Sequence, residues 1–306
     1  MTGVLYGFVL ILAVIGTGYL TARFGIVKGD QRRVLNNVAF YVATPMLLFS
    51  VLRESDPQIV LSPVIAATTI AAVAVAALYL LASRLWFRQG LTEAALGATT
   101  AGYVNSNNLG LPVAIYILGD ATYVAPLILV QLIVFSPVIL AILEAGRGNQ
   151  RGALKALGRA VTNPIIIASV LGFLCALFEV PVPQLLLEPI DMIGAAAIPM
   201  ILLSFGISLR GQRALEPGSG RASVLVATGL KVLGMPLIAW GVSLAIGLSP
   251  HETFIATTIA ALPTAQNIYN YAATYRRAET MVRDTILITT FASLPVIAGI
   301  AWLLAA

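Results

Sequence analysis

Ten long apolar windows recur along the chain, and nearly all of its positive charge falls between alternate windows. The windows run near 2–22, 33–52, 59–82, 92–118, 121–143, 161–179, 186–209, 221–247, 252–275 and 283–304. Segments of this length and polarity cross a bilayer as helices, because a helix closes its own backbone hydrogen bonds in hydrocarbon. The connection after span one holds Arg23, Lys28, Arg32 and Arg33, and that after span three holds Arg84 and Arg88. Arg147, Arg151, Lys155 and Arg159 follow span five, Arg210, Arg213 and Arg221 follow span seven, and Arg276, Arg277 and Arg283 follow span nine. These are sixteen of the eighteen Lys and Arg residues, all in odd connections. The even connections carry Arg53 with Glu54 and Asp56, then Asp120, Glu179 and the pair His251–Glu252. Basic loops stay in the cytoplasm. The pattern therefore predicts a multi-pass protein of the inner (plasma) membrane with both termini outside the cytoplasm. One span missed or invented would scramble the alternation.

Composition agrees. The chain is 59% hydrophobic and 10% charged, with mean hydropathy +0.93, against about 25% charged for soluble domains. No loop is long enough for a nucleotide-binding or other catalytic domain. No Walker loop, dinucleotide-binding glycine pattern, HExxH or nucleophile elbow occurs, so the expectation is a protein that is not an enzyme and uses no cofactor. The net charge of +5 marks cytoplasmic loops. It does not mark a nucleic-acid surface, since no basic cluster alternates with aromatics. Cys175 is the only cysteine and His251 the only histidine, which leaves no disulfide framework and no expected metal site. The first window lacks a positive segment before it and reads as a helix, not a cleaved signal.

Segments of the two halves match in order. Pro45-Met46 in FYVATPMLLFS matches Pro199-Met200 in GAAAIPMILLSFG at an offset of 154, and Gly16 falls over Gly172 at 156. Ala98-Thr99-Thr100 matches Ala256-Thr257-Thr258 at 158. Chance likeness of Ala- and Leu-rich segments is the competing explanation. The ordered set reads as two five-helix units, 1–158 and 159–306. Five is odd, so the units enter the membrane from opposite faces, a construction of secondary transporters. The expected fold is thus all-α, ten transmembrane helices in two inverted five-helix repeats.

Spans four and nine are broken at matched depth. Span four contains NSNNLGLP (105–112), and span nine contains LPTAQN (262–267). Proline removes a backbone donor and clashes with the preceding turn, and irregular backbone at membrane depth is tolerated only in protein or around a wet cavity. Two facing breaks expose helix N-termini, which favour an anion. Asn105, Asn107, Asn108, Gln266 and Asn267 add amides that bind a solute without net charge. The alternative is two kinked helices whose amides satisfy each other.

Other polar residues are fewer. Lys231 lies ten residues beyond Arg221, about 15 Å along a helix, near mid-membrane. It is expected to snorkel, to pair with Asp191 near the start of span seven, or to serve an anion or proton. Gln131 is a weaker candidate, as are Tyr103, Tyr269, Asn270 and Tyr271. Asn36 and Asn37 are expected to cap span two, Asn163-Pro164 to open span six, and Cys175 to be a small apolar filler.

Four segments carry a resemblance: ATPMLLFS, NSNNLGLP, IPMILLSFG and KVLGMPL. With these the whole chain resembles the auxin efflux carrier family of permeases, which includes plant carriers and bacterial transporters assigned to malonate or malate. The resemblance implies a scaffold domain from spans one, two, six and seven (about 2–52 and 161–209). It implies a transport domain from spans three to five and eight to ten (about 59–143 and 221–304). Broken helices 4 and 9 would cross near Pro112 and Pro263, with solute beside Asn105 to Pro112, including Gly110, and Pro263 to Asn267. A homodimer through the scaffold and elevator-type movement are implied as well. Transport would be driven by the membrane potential alone or by a coupled proton or sodium ion. The short loop between spans five and six matches bacterial members and leaves auxin doubtful as the solute. The expected function is secondary transport of a small organic anion across the lipid bilayer. A sodium-coupled bile-acid-type symporter and a non-transporting membrane sensor or scaffold are the rivals.

Overall fold

The structure, a computed structural model, describes residues 2–27, 29–55, 62–146, 162–211, 215 and 220–304. The loop residues Lys28, Asp56, Arg147, Arg151, Lys155, Arg159 and Arg213 lie outside the described residues. Among those described, the regular elements are helices, with a single isolated β-bridge. In chain order they are α1 (Thr2–Arg23), α2 (29–53), α3 (Pro63–Phe87), α4a (Leu91–Gly102), α4b (106–118) and α5 (Ala121–Ala145). Then follow α6 (Pro164–Leu177), α7 (Gln184–Ser208), α8 (Arg221–Ala245), α9a (Pro250–Ala260), α9b (Asn267–Tyr275) and α10 (Glu279–Leu304). Six of these, α2, α3, α5, α7, α8 and α10, are long and apolar enough to cross a membrane. The α4 and α9 segments are each interrupted midway.

The helix starts follow from local chemistry. Asn163 accepts from Ile165 N–H (2.9 Å) ahead of Pro164, as its sequence position predicts. Ser249 and Glu252 form a reciprocal capping box at α9a. Asn36 and Asn37 do not cap α2. That helix already begins at Gly29, so both lie inside it.

Four prolines reshape the helices in one way. Pro45, Pro112, Pro137 and Pro236 each sit two residues beyond a five-residue π-helical turn, at Ala39–Ala43, Ser106–Gly110, Gln131–Phe135 and Leu230–Gly234. A proline lacks the N–H for the carbonyl four residues back and collides with it. That carbonyl lies at the centre of each widened turn, which relieves the clash without ending the helix.

Packing follows two patterns. The α1 helix lies along α7, and α6 lies along the second half of α2. The approach is close enough that a Cβ on Gly18 would strike the Leu203 carbonyl, and one on Gly172 the Phe49 carbonyl. Both contacts relate by an offset of 154. Gly16, which the sequence match sets over Gly172, has no neighbour within 4 Å of its would-be Cβ. The remaining helices form a second group, with α3 against α4a, α8 and α9a, and α10 against α8 and α9a. One buried cluster joins Ile11, Leu48 and Leu202 to Leu111, Val113 and Ile117 of α4b. A second, with Tyr79, Leu96, Tyr103, Ile268 and Val282, contains no buried residue of α1, α2, α6 or α7.

Candidate functional site

The α4a helix stops at Gly102. Tyr103 is extended (φ −91°, ψ 109°) and Asn105 has φ −79°, ψ 64°. The α9a helix stops at Ala260, and six residues pass before α9b begins at Asn267. The two irregular stretches meet. Val104 and Thr264 form an antiparallel bridge, closed by Asn105 N–H to Pro263 O (2.8 Å) and Ala265 N–H to Tyr103 O (3.1 Å). Each bond becomes the other on adding 160 to the residue number. Backbone groups freed from helices inside apolar surroundings must find partners, and here each break satisfies the other.

The ends of the half-helices are held in turn. Thr264 Oγ1 donates to Thr100 O near the end of α4a (2.7 Å). Lys231 Nζ donates to Ala260 O at the end of α9a (3.0 Å), again at an offset of 160 between the carbonyls. Lys231 is 0% exposed, and its other contact is Met235 Sδ (2.9 Å). It does not snorkel and does not pair with Asp191, which accepts from Ser50 Oγ (2.5 Å) where α7 packs on α2. A negative helix end is a natural seat for this amine.

Gln131 lies at the first position of the π turn in α5. Its Nε2 donates to Val104 O (3.0 Å), and its Oε1 accepts from Ser106 Oγ. Asn105 caps α4b through Oδ1, which accepts from Asn108 N–H (3.1 Å). Asn107 Nδ2 donates to Asn108 Oδ1 (3.0 Å). Two amide atoms remain. Asn105 Nδ2 and Asn107 Oδ1 are buried without a hydrogen-bond partner, and Asn105 is 3% exposed. Native proteins leave few such atoms, and each requires an explanation; a solute or water is the ordinary one.

Gly110 and Pro112 do different work from the amides. A Cβ on Gly110 would come within 3.1 Å of Leu262 and 3.2 Å of Val124, so the glycine lets α4b pack against the α9 break. Pro112 is buried and opens the π turn. Pro263 supplies the carbonyl for Asn105, while Gln266 and Asn267 begin α9b half-buried. Both α4b and α9b start within three residues of the bridge, so two N-terminal helix ends open beside it, with the partial positive charge that attracts anions. Thr264 and Thr289, whose hydroxyl oxygen accepts from Thr264 N–H (3.2 Å), escape sequence reading. The adjacent proline points at Thr264, and no sequence signal points at Thr289.

Paired breaks in an apolar helical protein define a membrane carrier, and comparison with known proteins places it more narrowly. Residues 4–301 match the membrane transport protein family, and the chain belongs to it; the auxin efflux carrier resemblance is this same family. A Rhizobium meliloti protein that carries the provisional name malonate transporter is 28% identical over 299 residues, 94% of this chain and 91% of that one. An uncharacterized transporter of Methanocaldococcus jannaschii is 25% identical, covering 96% and 97% of the two chains. An uncharacterized transporter of Escherichia coli is 23% identical over 83% of each. The chain is thus a membrane protein of a transporter family, not a family of enzymes.

Proposed function

We propose that this protein is a secondary transporter of a small organic carboxylate, bound where the interrupted helices α4 and α9 cross. The observation that carries the reading is the pair of buried, unpartnered amide atoms, Asn105 Nδ2 and Asn107 Oδ1, beside two helix N-termini. The chain has ten spans in two inverted five-helix repeats. The offset of 160 across the bridge and 154 across the glycine contacts supports that arrangement. The site residues are Asn105, Asn107, Asn108, Gln266 and Asn267, shaped by Gly110, Pro112 and Pro263. Malonate is the first solute to test, on the strength of the Rhizobium relative's name.

The packing of α1 on α7 and of α6 on α2 supports a scaffold of these four helices, through which two copies pair. The remaining helices carry the crossing past it, elevator-fashion, in the cell membrane with both termini outside. Export of an anion from a negative interior needs no coupling, since about 2.3 kcal/mol per charge per 100 mV favours exit. Uptake needs a proton or sodium ion. The Lys231 amine already serves the carbonyl end of α9a, which weighs against a sodium ion at that end.

Purified protein in liposomes, offered radiolabelled malonate and related carboxylates under imposed sodium, proton and voltage gradients, tests the reading. Flux of a carboxylate set by voltage or protons is expected. Uptake that requires sodium would favour a bile-acid-type symporter. Saturable binding with no flux under any gradient would mark a sensor and overturn transport.

A further inference from the structure

We propose that Gln131 and Thr289 are a matched pair of positioning residues that fix the register of the crossing, one from each half of the chain. In an antiparallel bridge closed by the flanking residues, the bridge residues turn their own N–H and C=O outward, to the two edges of the ribbon. Val104 and Thr264 are those residues. A ribbon held by two backbone bonds has little to keep its edges satisfied in buried surroundings, and an unmet edge is costly there. A side chain of α5 reaches one edge and a side chain of α10 the other; at the first edge Val104 O also accepts from Ser106 N–H (2.9 Å). Gln131 Nε2 donates to Val104 O. Thr289 Oγ1 accepts from Thr264 N–H, while its own hydroxyl proton goes to Ile286 O (3.1 Å). That second bond sets the polarity, because the hydroxyl oxygen is left to face Thr264 as an acceptor.

The two residues stand 158 apart, two fewer than the 160 that relates the residues of the bridge itself. Their chemistry is opposite, a donor to the Val104 carbonyl at one edge and an acceptor for the Thr264 N–H at the other. Both are buried (Gln131 3%, Thr289 0% exposed), and their polar atoms are already engaged, so neither touches the solute. A slip of one residue would turn Asn105 to the opposite face of the ribbon. Holding Val104 and Thr264 opposite each other therefore keeps the Asn105 amide where the proposed transport function needs it, and in that respect the inference rests on that reading.

Hydrogen exchange of the solute-free protein in detergent tests it, on Gln131→Leu, Thr289→Val and Thr289→Ser. The Asn105 and Ala265 amides are expected to exchange on the order of tenfold faster or more in Gln131→Leu and Thr289→Val, as loss of one buried hydrogen bond implies. They should keep wild-type rates in Thr289→Ser, which retains the acceptor, and amides in mid-α3 should stay protected in all three. In liposomes the KM for malonate is expected to rise more than the maximal rate falls. Thr289→Val is isosteric and carries the test alone if Gln131→Leu does not fold. Wild-type protection of Asn105 and Ala265 in Thr289→Val would overturn the proposal, as would Thr289→Ser exchanging as fast as Thr289→Val. Exchange is read without solute. A wild type that moves no carboxylate would therefore unseat transport and leave the register claim standing.

Discussion

The interruptions of α4 and α9 share a backbone plan and differ in how they are equipped. The α4 break is rich in amides and only partly supports itself: Asn105 caps the helix that follows, Asn107 leans on Asn108, Gln131 of α5 holds Val104 O and Ser106, and two amide atoms are left over. The α9 break is held from outside. Lys231 of α8 secures its carbonyl end and Thr289 of α10 its free N–H, while Gln266 caps α9b with no side-chain bond. Amide side chains concentrate at the α4 break, whereas Gln131, Lys231 and Thr289 hold the two breaks from neighbouring helices.

Substitutions grade this contrast. Asn105→Ala removes a cap, costing about 1 kcal/mol, together with a buried donor to a charged solute, worth about 1.5–3 kcal/mol. Malonate flux in liposomes is expected to fall about 100-fold, with a small drop in the unfolding midpoint. Wild-type flux would move recognition out of the α4 break. Asn107→Ala lacks the capping loss and should cut flux about tenfold while leaving thermal unfolding unchanged; a large loss of stability would reassign it to structure. Lys231→Met strands the Ala260 carbonyl at about 1–3 kcal/mol. Here the expected signature is reversed: stability measured by denaturant drops clearly, and malonate affinity weakens by less than the α4 variants cause. An affinity loss as large as that of Asn105→Ala would make Lys231 part of the recognition group. Gln266→Ala should be mildest, within about threefold in flux. Parity with Asn107→Ala would erase the distinction between the breaks.

Much of this was legible before any coordinates. The Asn, Gly and Pro of 105–112 and the Pro of 262–267 announce helices that cannot continue, because proline and side-chain amides compete with the i to i−4 ladder. The bridge between them was not legible, since hydrogen bonds between Asn105 and Pro263 join residues far apart in sequence and involve only backbone. The destination of Lys231 was hidden for a related reason: snorkelling and ion-pairing are read from charge, whereas a helix end as partner needs the fold. Asn36 and Asn37 misled because a capping residue type says nothing when Gly29 has already begun the helix. The widened turns ahead of Pro45, Pro112, Pro137 and Pro236 were not legible either, because proline alone does not decide them: Pro189 and Pro295 sit inside helices without such a turn.

Asp284, wholly buried near the start of α10, accepts from the backbone N–H of Leu215 (2.9 Å). This fixes Leu215, a residue between α7 and α8, against α10. Seven chain steps separate Ser208, the last residue of α7, from Leu215, and fully stretched they reach about 25 Å. Under the proposed elevator motion, that leash length, not the longer span of sequence to Arg221, bounds the travel while Asp284 keeps its grip.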